Sequence, residues 1–283
     1  MRKLLLLFFV PTGLLVAYLL FSAFLSDSLP ELKKEISDYV SIDRIESLSA
    51  PPPLFGPRQD ATSELTSKGV IAWTNNQRRG EGLPALQENS RLNAAASKKV
   101  ADMFARQYFA HESPTGSTAK DLVAEQGYEY VLVGENLALG NYEDDQVLVQ
   151  AWMDSPGHRE NILKTSFEEI GVAVKKGVYE GDEVWLAVQI FARPISSCPQ
   201  PEEGLLERID LNDALLEQQY AALQTQRDDL QNYENKKSEE YAQKVDEFNQ
   251  NVDAYNTLLE QQKNLVSEYN TQVQALNACI QNS

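Results

Sequence analysis

The stretch AWMDSPGHRENILKTSFEEIG, residues 151–171, contains His158, one of only two histidines among 283 residues. The other, His111, lies in the segment FAHESP (residues 109–114), and Glu135 lies between the two histidines in the sequence Gly-Glu-Asn. Imidazoles and carboxylates are ligands of zinc and similar divalent ions, and a carboxylate also orients ligand histidines. No two of these residues are spaced as a helical i, i+4 pair, so we predict a site that converges from three separate segments.

The residues present argue against two other kinds of site. The His-Glu-x-x-His zinc motif fails because Thr115 stands where its second histidine belongs. A serine hydrolase built on Ser113 or Ser155 lacks the Gly-x-Ser-x-Gly turn. The competing interpretation is structural: each histidine could cap a turn or a helix end, and Glu135 could accept hydrogen bonds from loop amides.

Composition bounds the class of protein and its partners. The chain is 42% hydrophobic and 24% charged, which is ordinary for a globular protein. Its formal net charge of −17 argues against nucleic acid as a partner, because a phosphate backbone is bound through basic patches.

Residues 1–26 predict a membrane anchor. Arg2 and Lys3 precede an apolar run over residues 4–25, which is long enough to cross a hydrocarbon core of about 30 Å as a helix. These charges place the amino end in the cytoplasm and predict a single-pass protein of the cell membrane whose bulk lies outside. The alternative is a cleaved signal peptide and a secreted protein. Residues 27–64, with three consecutive prolines, predict an extended stalk.

Residues 65–195 combine helical and strand patterns, which predicts an α+β domain with helices around a small antiparallel sheet. Asn89 and Thr118 are predicted helix N-caps, and Thr118 begins a capping box. Residues 144–153 predict another helix, which Pro156 and the following glycine are expected to close.

The strand signals lie late in this domain. Residues 170–174 and 184–191 are rich in β-branched and aromatic side chains, and the turn-like segment 179–183 predicts that they form an antiparallel hairpin. Residues 130–133 predict an additional strand.

Residues 200–283 predict a coiled coil. Apolar residues recur with 4-3 spacing from Tyr241 to Ile280, interrupted only at Gln262, and an earlier seam starts at Leu205. The two seams differ by one residue in phase near residues 236–239. This slip is either a stutter within one long helix or the turn of a helical hairpin.

The two cysteines favour the hairpin. Cys198 and Cys279 lie at about equal distances from the slip, so arms that fold back there would bring the thiols together. A disulfide would be permitted in an extracytoplasmic compartment. The alternative is two unrelated thiols, one of which pairs between the chains of a parallel dimer.

Several motifs in order resemble a known family: Asn75-x-x-Arg78, Gly82-Leu-Pro-Ala-Leu86, Phe109-Ala-His111, Gly134-Glu135-Asn136-Leu-Ala, the stretch 152–163 and Ile170-Gly171-Val. Together they resemble the CAP superfamily of cysteine-rich secretory, antigen 5 and pathogenesis-related proteins, in its bacterial branch. The resemblance implies an α-β-α sandwich with an open cleft that holds two histidines and two acids, and zinc or another divalent cation in some members.

The resemblance also assigns residues to the cleft. His111 and His158 take the places of the two histidines, Glu135 takes the place of the first acid, and Asn136 lies beside it. Ser155 stands where many members have the second acid, with Asp154 next to it.

Three functions follow as hypotheses. The first is a non-enzymatic, membrane-anchored binding module whose cleft holds a divalent ion and a lipid, peptide or glycan ligand. The second is a zinc-assisted hydrolase of peptide or cell-wall material, with Glu135 as general base. The third is an assembly protein that binds a protein partner, or itself, through the coiled coil. The serine at the position of the second acid favours binding over catalysis.

Overall fold

The structure is a computed structural model, and it describes residues 50–58 and 64–282. Its contacts divide the chain into two compact units. Gln200–Asn277 belong to one, called here the helical unit. The described residues of Asp43–Pro199, together with those from Ala278 onward, form the other, called the α/β unit. The predicted anchor over residues 1–26 lies outside the described residues, and no helix within them is both long and apolar enough to cross a membrane.

The α/β unit contains one mixed sheet. Its strands are β1 (Leu54–Phe55), β2 (Gln87–Glu88), β3 (Tyr130–Gly140), β4 (Glu169–Tyr179) and β5 (Asp182–Pro194), in the order β1-β3-β5-β4-β2. Strands β3, β5 and β4 pair antiparallel, and the predicted β4–β5 hairpin is confirmed. The prediction of a purely antiparallel sheet is wrong at both edges, where the two-residue strands β1 and β2 pair parallel to β3 and β4.

Five helices accompany the sheet within the described part of the α/β unit. They are α1 (Ser67–Gly80), α2 (Ser90–Arg106), α3 (Ala119–Glu125), α4 (Asp145–Asp154) and α5 (Pro156–Leu163). The predicted caps are confirmed: the Asn89 side chain accepts a hydrogen bond from the amide of Arg91, and Thr118 forms a capping box with Asp121.

One predicted helix boundary is wrong. Pro156 does not merely close α4, because it occupies the first turn of α5. Proline suits that position, since its fixed φ is helical and the amide hydrogen that it lacks would have had no partner within the helix. Ser155, with extended backbone angles, separates the two helices and is the last non-helical residue before His158.

Helices cover both faces of the sheet. One buried cluster joins α2 and α3 to alternate residues of β3 and β5, such as Leu137 and Val188. A second cluster joins α1, α4 and α5 to the opposite face through residues such as Ala138 and Phe191. Because successive side chains of a strand point to opposite faces, one set of strands serves both clusters.

Part of the predicted stalk belongs to the α/β unit. Leu54 and Phe55 pair with Ala138 and Leu139 of β3, so these residues form an edge strand instead of a free spacer. The edge of β3 offers unpaired amides and carbonyls, which are a template for any extended segment nearby. Sequence reasoning missed this pairing because a two-residue strand carries no periodic signal.

In the helical unit, α6 (Leu205–Asn232) packs antiparallel against α7 (Glu239–Gln281), and residues 233–238 connect them. Leu216 and Leu223 of α6 form a buried cluster with Tyr255 and Leu259 of α7. Gln262, which interrupts the apolar seam, donates hydrogen bonds of 2.9 and 2.8 Å to the Ile209 carbonyl and the Asp213 carboxylate of α6. The structure therefore has the hairpin and not the single long helix.

Cys198 and Cys279 form a disulfide, with their Cα atoms 5.7 Å apart. Both residues belong to the α/β unit, although 81 positions separate them in sequence. The bond closes a loop that contains α6 and nearly all of α7.

A close approach of α2 to β4 predicts a strong effect of Gly171→Ala. The added methyl group would lie 2.2 Å from the Leu92 carbonyl carbon and 2.4 Å from the Asn93 amide nitrogen, both main-chain atoms of α2. We expect the free energy of unfolding to fall by about 3 kcal/mol, measured by urea unfolding. Gly80→Ala is the matched control, because a methyl group at Gly80 meets nothing within 4 Å. Equal midpoints for the two variants would contradict the packing described.

Loss of the disulfide is predicted to destabilise the helical unit, because the bond encloses its residues. Closing so long a loop contributes about 4 kcal/mol in the chain-entropy model, so in Cys198→Ser/Cys279→Ser the helical unit is expected to unfold at lower urea, measured by circular dichroism at 222 nm. All three tryptophans lie in the α/β unit, so their fluorescence follows the other unit and serves as the control. Wild type in reductant should match the variant. Non-reducing mass spectrometry should find an intact monomer, and a disulfide-linked dimer would contradict the intrachain bond.

Candidate functional site

The candidate site straddles one edge of β3. Strand β1 pairs with β3 only at Ala138 and Leu139, so at Glu135 and Asn136 this edge is not covered by any strand of the described residues. Side-chain alternation sends Glu135 and Asn136 to opposite faces. Groups from both helical layers therefore reach the same short segment of main chain.

His111 and Glu135 form a close pair on one side of this edge. The Nδ1 atom of His111 lies 2.5 Å from Oε2 of Glu135, and its Nε2 atom lies 2.6 Å from the Pro51 carbonyl oxygen. The Glu135 side chain is only 4% exposed, against 22% for His111. Both nitrogens of His111 thus face oxygen atoms that can accept a hydrogen bond.

A buried lysine holds the loop that carries His111. Lys99 of α2 is buried and donates a 2.6 Å hydrogen bond to the His111 carbonyl oxygen. Burial lowers the pKa of Lys99, while the carboxylates of Glu135 and Asp102 act in the opposite direction. Sequence reasoning missed Lys99, because it reads as an ordinary polar residue of a surface helix.

His158 approaches from the other layer, on α5. Its Nδ1 atom lies 2.8 Å from the Ser155 hydroxyl, and its buried Nε2 atom has no hydrogen-bond partner. Burial lowers the pKa of His158 to about 4, with a smaller contribution from the neighbouring His111. His158 is therefore neutral at pH 7, which leaves it able to act as a metal ligand or as a hydrogen-bonding group.

Asn161 joins the two sides of the site. It lies one helical turn after His158 and donates hydrogen bonds to the Glu135 carbonyl at 3.2 Å and to the Asn136 side chain at 2.9 Å. Asn136 in turn donates to the carbonyl of His158 and to the side chain of Gln189, each at 3.2 Å. Asn161 and Gln189 were not predicted; for Asn161, its position on the same face of a helix as His158 was an available signal.

Arg78 fixes the end of the helix that carries His158. Its fully buried guanidinium donates to the carbonyl oxygens of Ile162 and Lys164 at 2.8 and 2.9 Å, and to that of Pro84 at 2.9 Å. A cation at the carboxyl end of a helix is favourable because the last carbonyls lack helical partners. Burial lowers the pKa of Arg78, yet the ion stays charged at neutral pH because an arginine is not deprotonated in that range.

The neighbouring residues Ser155 and Asp154 have different surroundings in the structure. Ser155 contacts His158 and so belongs to the site. The carboxylate of Asp154 is exposed and accepts a 2.8 Å hydrogen bond from Gln150, one turn earlier on α4. His111, Glu135, Asn136, Ser155 and His158 are thus joined by one network, and Asp154 faces away from it.

Two buried atoms of this network have no hydrogen-bond partner: Oε1 of Glu135 and Nε2 of His158. Buried polar atoms are nearly always satisfied, so each such atom calls for an explanation such as a water, an ion or a ligand. Among the described residues, no three His, Cys, Asp or Glu side chains are grouped closely enough to hold a metal by themselves. Any ion here would complete its coordination with other groups.

Comparison with known proteins finds matches to part of this chain. Residues 71–191 match the cysteine-rich secretory protein (CAP) family. Uncharacterized protein YkwD of Bacillus subtilis is 40% identical over 118 residues, which are 42% of this chain and 44% of that protein. Uncharacterized membrane protein YlbC of the same organism is 31% identical over 114 residues, 40% of this chain and 33% of that protein. The chain therefore spans less than half the length of these relatives.

A solved structure also aligns with this chain. It is an extracellular protein from Bacillus anthracis that contains an SCP domain, with 31% identity and a TM-score of 0.39, and the match covers 45% of this chain and 40% of that one. The order of the motifs, the family match and the identity to YkwD lead to one assignment. Residues 71–191 are a CAP domain of the bacterial type.

Proposed function

We propose that this protein is an extracytoplasmic binding module whose CAP-domain cleft takes a divalent cation, such as zinc, and an organic ligand. The observation that carries the proposal is the pair of buried, unpartnered atoms, Glu135 Oε1 and His158 Nε2, within one hydrogen-bond network. A bound cation or polar ligand would satisfy atoms that the protein itself leaves unsatisfied.

The donor set fits a two-histidine site. His158 is neutral and has a free ring nitrogen, while Glu135 is placed to orient His111 through Nδ1, as carboxylates do for ligand histidines. The cation would be held through Nε2 of both rings and would supply a positive charge that polarises a ligand oxygen. Pro51 would have to leave Nε2 of His111 for this to happen, because its carbonyl lies 2.6 Å away.

The proposed location is the outer face of a cell membrane. The apolar run over residues 4–25 would tether the chain, and the disulfide suits an oxidising compartment. Of the relatives, YlbC is named a membrane protein and the Bacillus anthracis protein an extracellular one.

Zinc binding tests the ligand assignment. We expect His111→Ala and His158→Ala each to weaken zinc binding to the full chain at least about 100-fold, and Glu135→Gln to weaken it about 10- to 100-fold, measured by competition with a chromogenic chelator. Asp154→Asn is the matched control, because that carboxylate is exposed and bonded to Gln150. Unchanged affinity in both histidine variants would rule out the assignment.

The same variants separate binding from hydrolysis. A binding module should not turn over peptide or peptidoglycan libraries in the presence of zinc. Turnover that disappears in Glu135→Gln, with the fold intact by circular dichroism, would show a hydrolase instead.

The shifted pKa of His158 predicts an acid-sensitive fold. The folded pKa of about 4 lies below the ordinary value of 6.5, so between these values the unfolded chain binds more protons and stability falls as the pH falls. We expect about 2 kcal/mol of the free energy of unfolding to be lost between pH 7 and pH 5 through this group.

His158→Gln removes the titrating group and should flatten that part of the pH profile, as read from tryptophan fluorescence in urea. A wild-type profile with the same slope as the variant between pH 5 and pH 7 would contradict the buried, neutral state of His158.

A further inference from the structure

Residues 50–58, called here the strap, lie against the histidine site in a manner typical of a bound peptide. Of these residues only Pro51 is buried, and Phe55 is 61% exposed although its ring meets that of Phe109 edge to face at 5.0 Å. The strap therefore contributes little to the core of the domain.

Main-chain hydrogen bonds hold most of the strap. Leu54 and Phe55 add a short parallel strand to β3. The amide of Gly56 donates to the Leu139 carbonyl at 2.7 Å, and the Pro57 carbonyl accepts from the amide of Asn141 at 2.6 Å. Addition of a strand to an exposed sheet edge is a common mode of peptide recognition, with main-chain bonds for affinity and pockets for specificity.

Two positions in the groove accommodate particular residues of the strap, a proline at one and a glycine at the other. Pro51 packs on α5 at Gly157, where a methyl group would lie 2.7 Å from Cβ of Pro51, and its carbonyl reaches His111. Gly56 passes between Gly140 and Tyr142, and a methyl group at Gly56 would lie 2.5 Å from the Tyr142 ring. The groove thus fits a proline, an apolar pair and a glycine at fixed positions.

We infer that this groove is a peptide-binding site, that the strap occupies it intramolecularly, and that its external ligand is an extended, proline-containing peptide that binds in the same register. This inference rests on the proposed binding function of the same cleft and names its class of ligand. The strap competes at an effective concentration on the order of millimolar, because a short linker joins it to the domain. An external peptide gains access when the strap leaves, which also frees Nε2 of His111.

The test uses the full chain in detergent, with EDTA present, and a fluorescent peptide with the sequence of residues 50–58, APPPLFGPR. Gly56→Val should expel the strap, because its bulk meets Tyr142 while the groove stays intact. Gly56→Pro should do so by a second route, since it removes the amide that donates to Leu139. In fluorescence anisotropy, we expect both variants to bind the peptide at least about tenfold more tightly than wild type.

Gly157→Ala is the matched variant of the groove. Alanine suits a helix better than glycine, and the only close contact of the added methyl group is with Pro51. Gly56→Val/Gly157→Ala should therefore keep its thermal midpoint but lose most of the peptide affinity gained by Gly56→Val. Hydrogen exchange at the Asn141 amide should speed up in Gly56→Val and slow again when peptide is added.

Three results would overturn the inference. The first is equal peptide affinity in wild type and both Gly56 variants, and the second is equal peptide affinity in Gly56→Val with and without Gly157→Ala. The third is peptide-induced protection from hydrogen exchange that appears away from β3. Light scattering tests one further occupant of the groove. A wild-type dimer that Gly157→Ala dissociates would show that a second copy of this chain fills the groove and would overturn a ligand from another protein, whereas a monomer in both supports that ligand. These assays contain no metal, so a failure to bind zinc would not affect the peptide result. A failure to bind the peptide would likewise leave the zinc result unaffected.

Discussion

The site depends on the alternation of side chains along β3 at an edge that no described strand covers at Glu135. Alternation sends Glu135 toward the α2 layer and Asn136 toward the α5 layer, so one dipeptide serves both sides of the sheet. His111 and His158 can meet only at such an edge, because a continuous sheet would separate them. The short length of β1 is thus a condition for the site.

Buried polar groups fix the geometry around that edge. Lys99 holds the carbonyl of His111, Arg78 holds the end of α5, and Asn161 ties α5 to the main chain of β3 at Glu135. Each of these groups would be costly to bury unpaired, and most of their polar atoms have a partner, although Nη2 of Arg78 has none. The unpartnered atoms of Glu135 and His158 differ from Nη2 of Arg78 because they belong to the residues of the cleft itself, which is why they point to a ligand.

The strap covers one of the two histidines of the cleft. Without it, His111 and His158 would form an open two-histidine site, but Pro51 places a carbonyl on one of the two nitrogens. In the proposed function, binding of a cation would therefore require release of the strap, because both would use one atom, Nε2 of His111. Cations and peptides that occupy this cleft would compete with the same short segment of chain.

The sequence by itself determined most of the helices of this protein and its β4–β5 hairpin. Periodicity and capping residues such as Asn89 and Thr118 marked the helices, β-branched runs marked β4 and β5, and the motif order indicated the family, because these signals are local. Only the tertiary structure decided that Asp154 turns away, that Asn161 and Lys99 join the site, and that the predicted stalk contributes β1. Those outcomes depend on contacts between residues far apart in sequence, and no local pattern encodes which sheet edge stays open or what comes to lie against it.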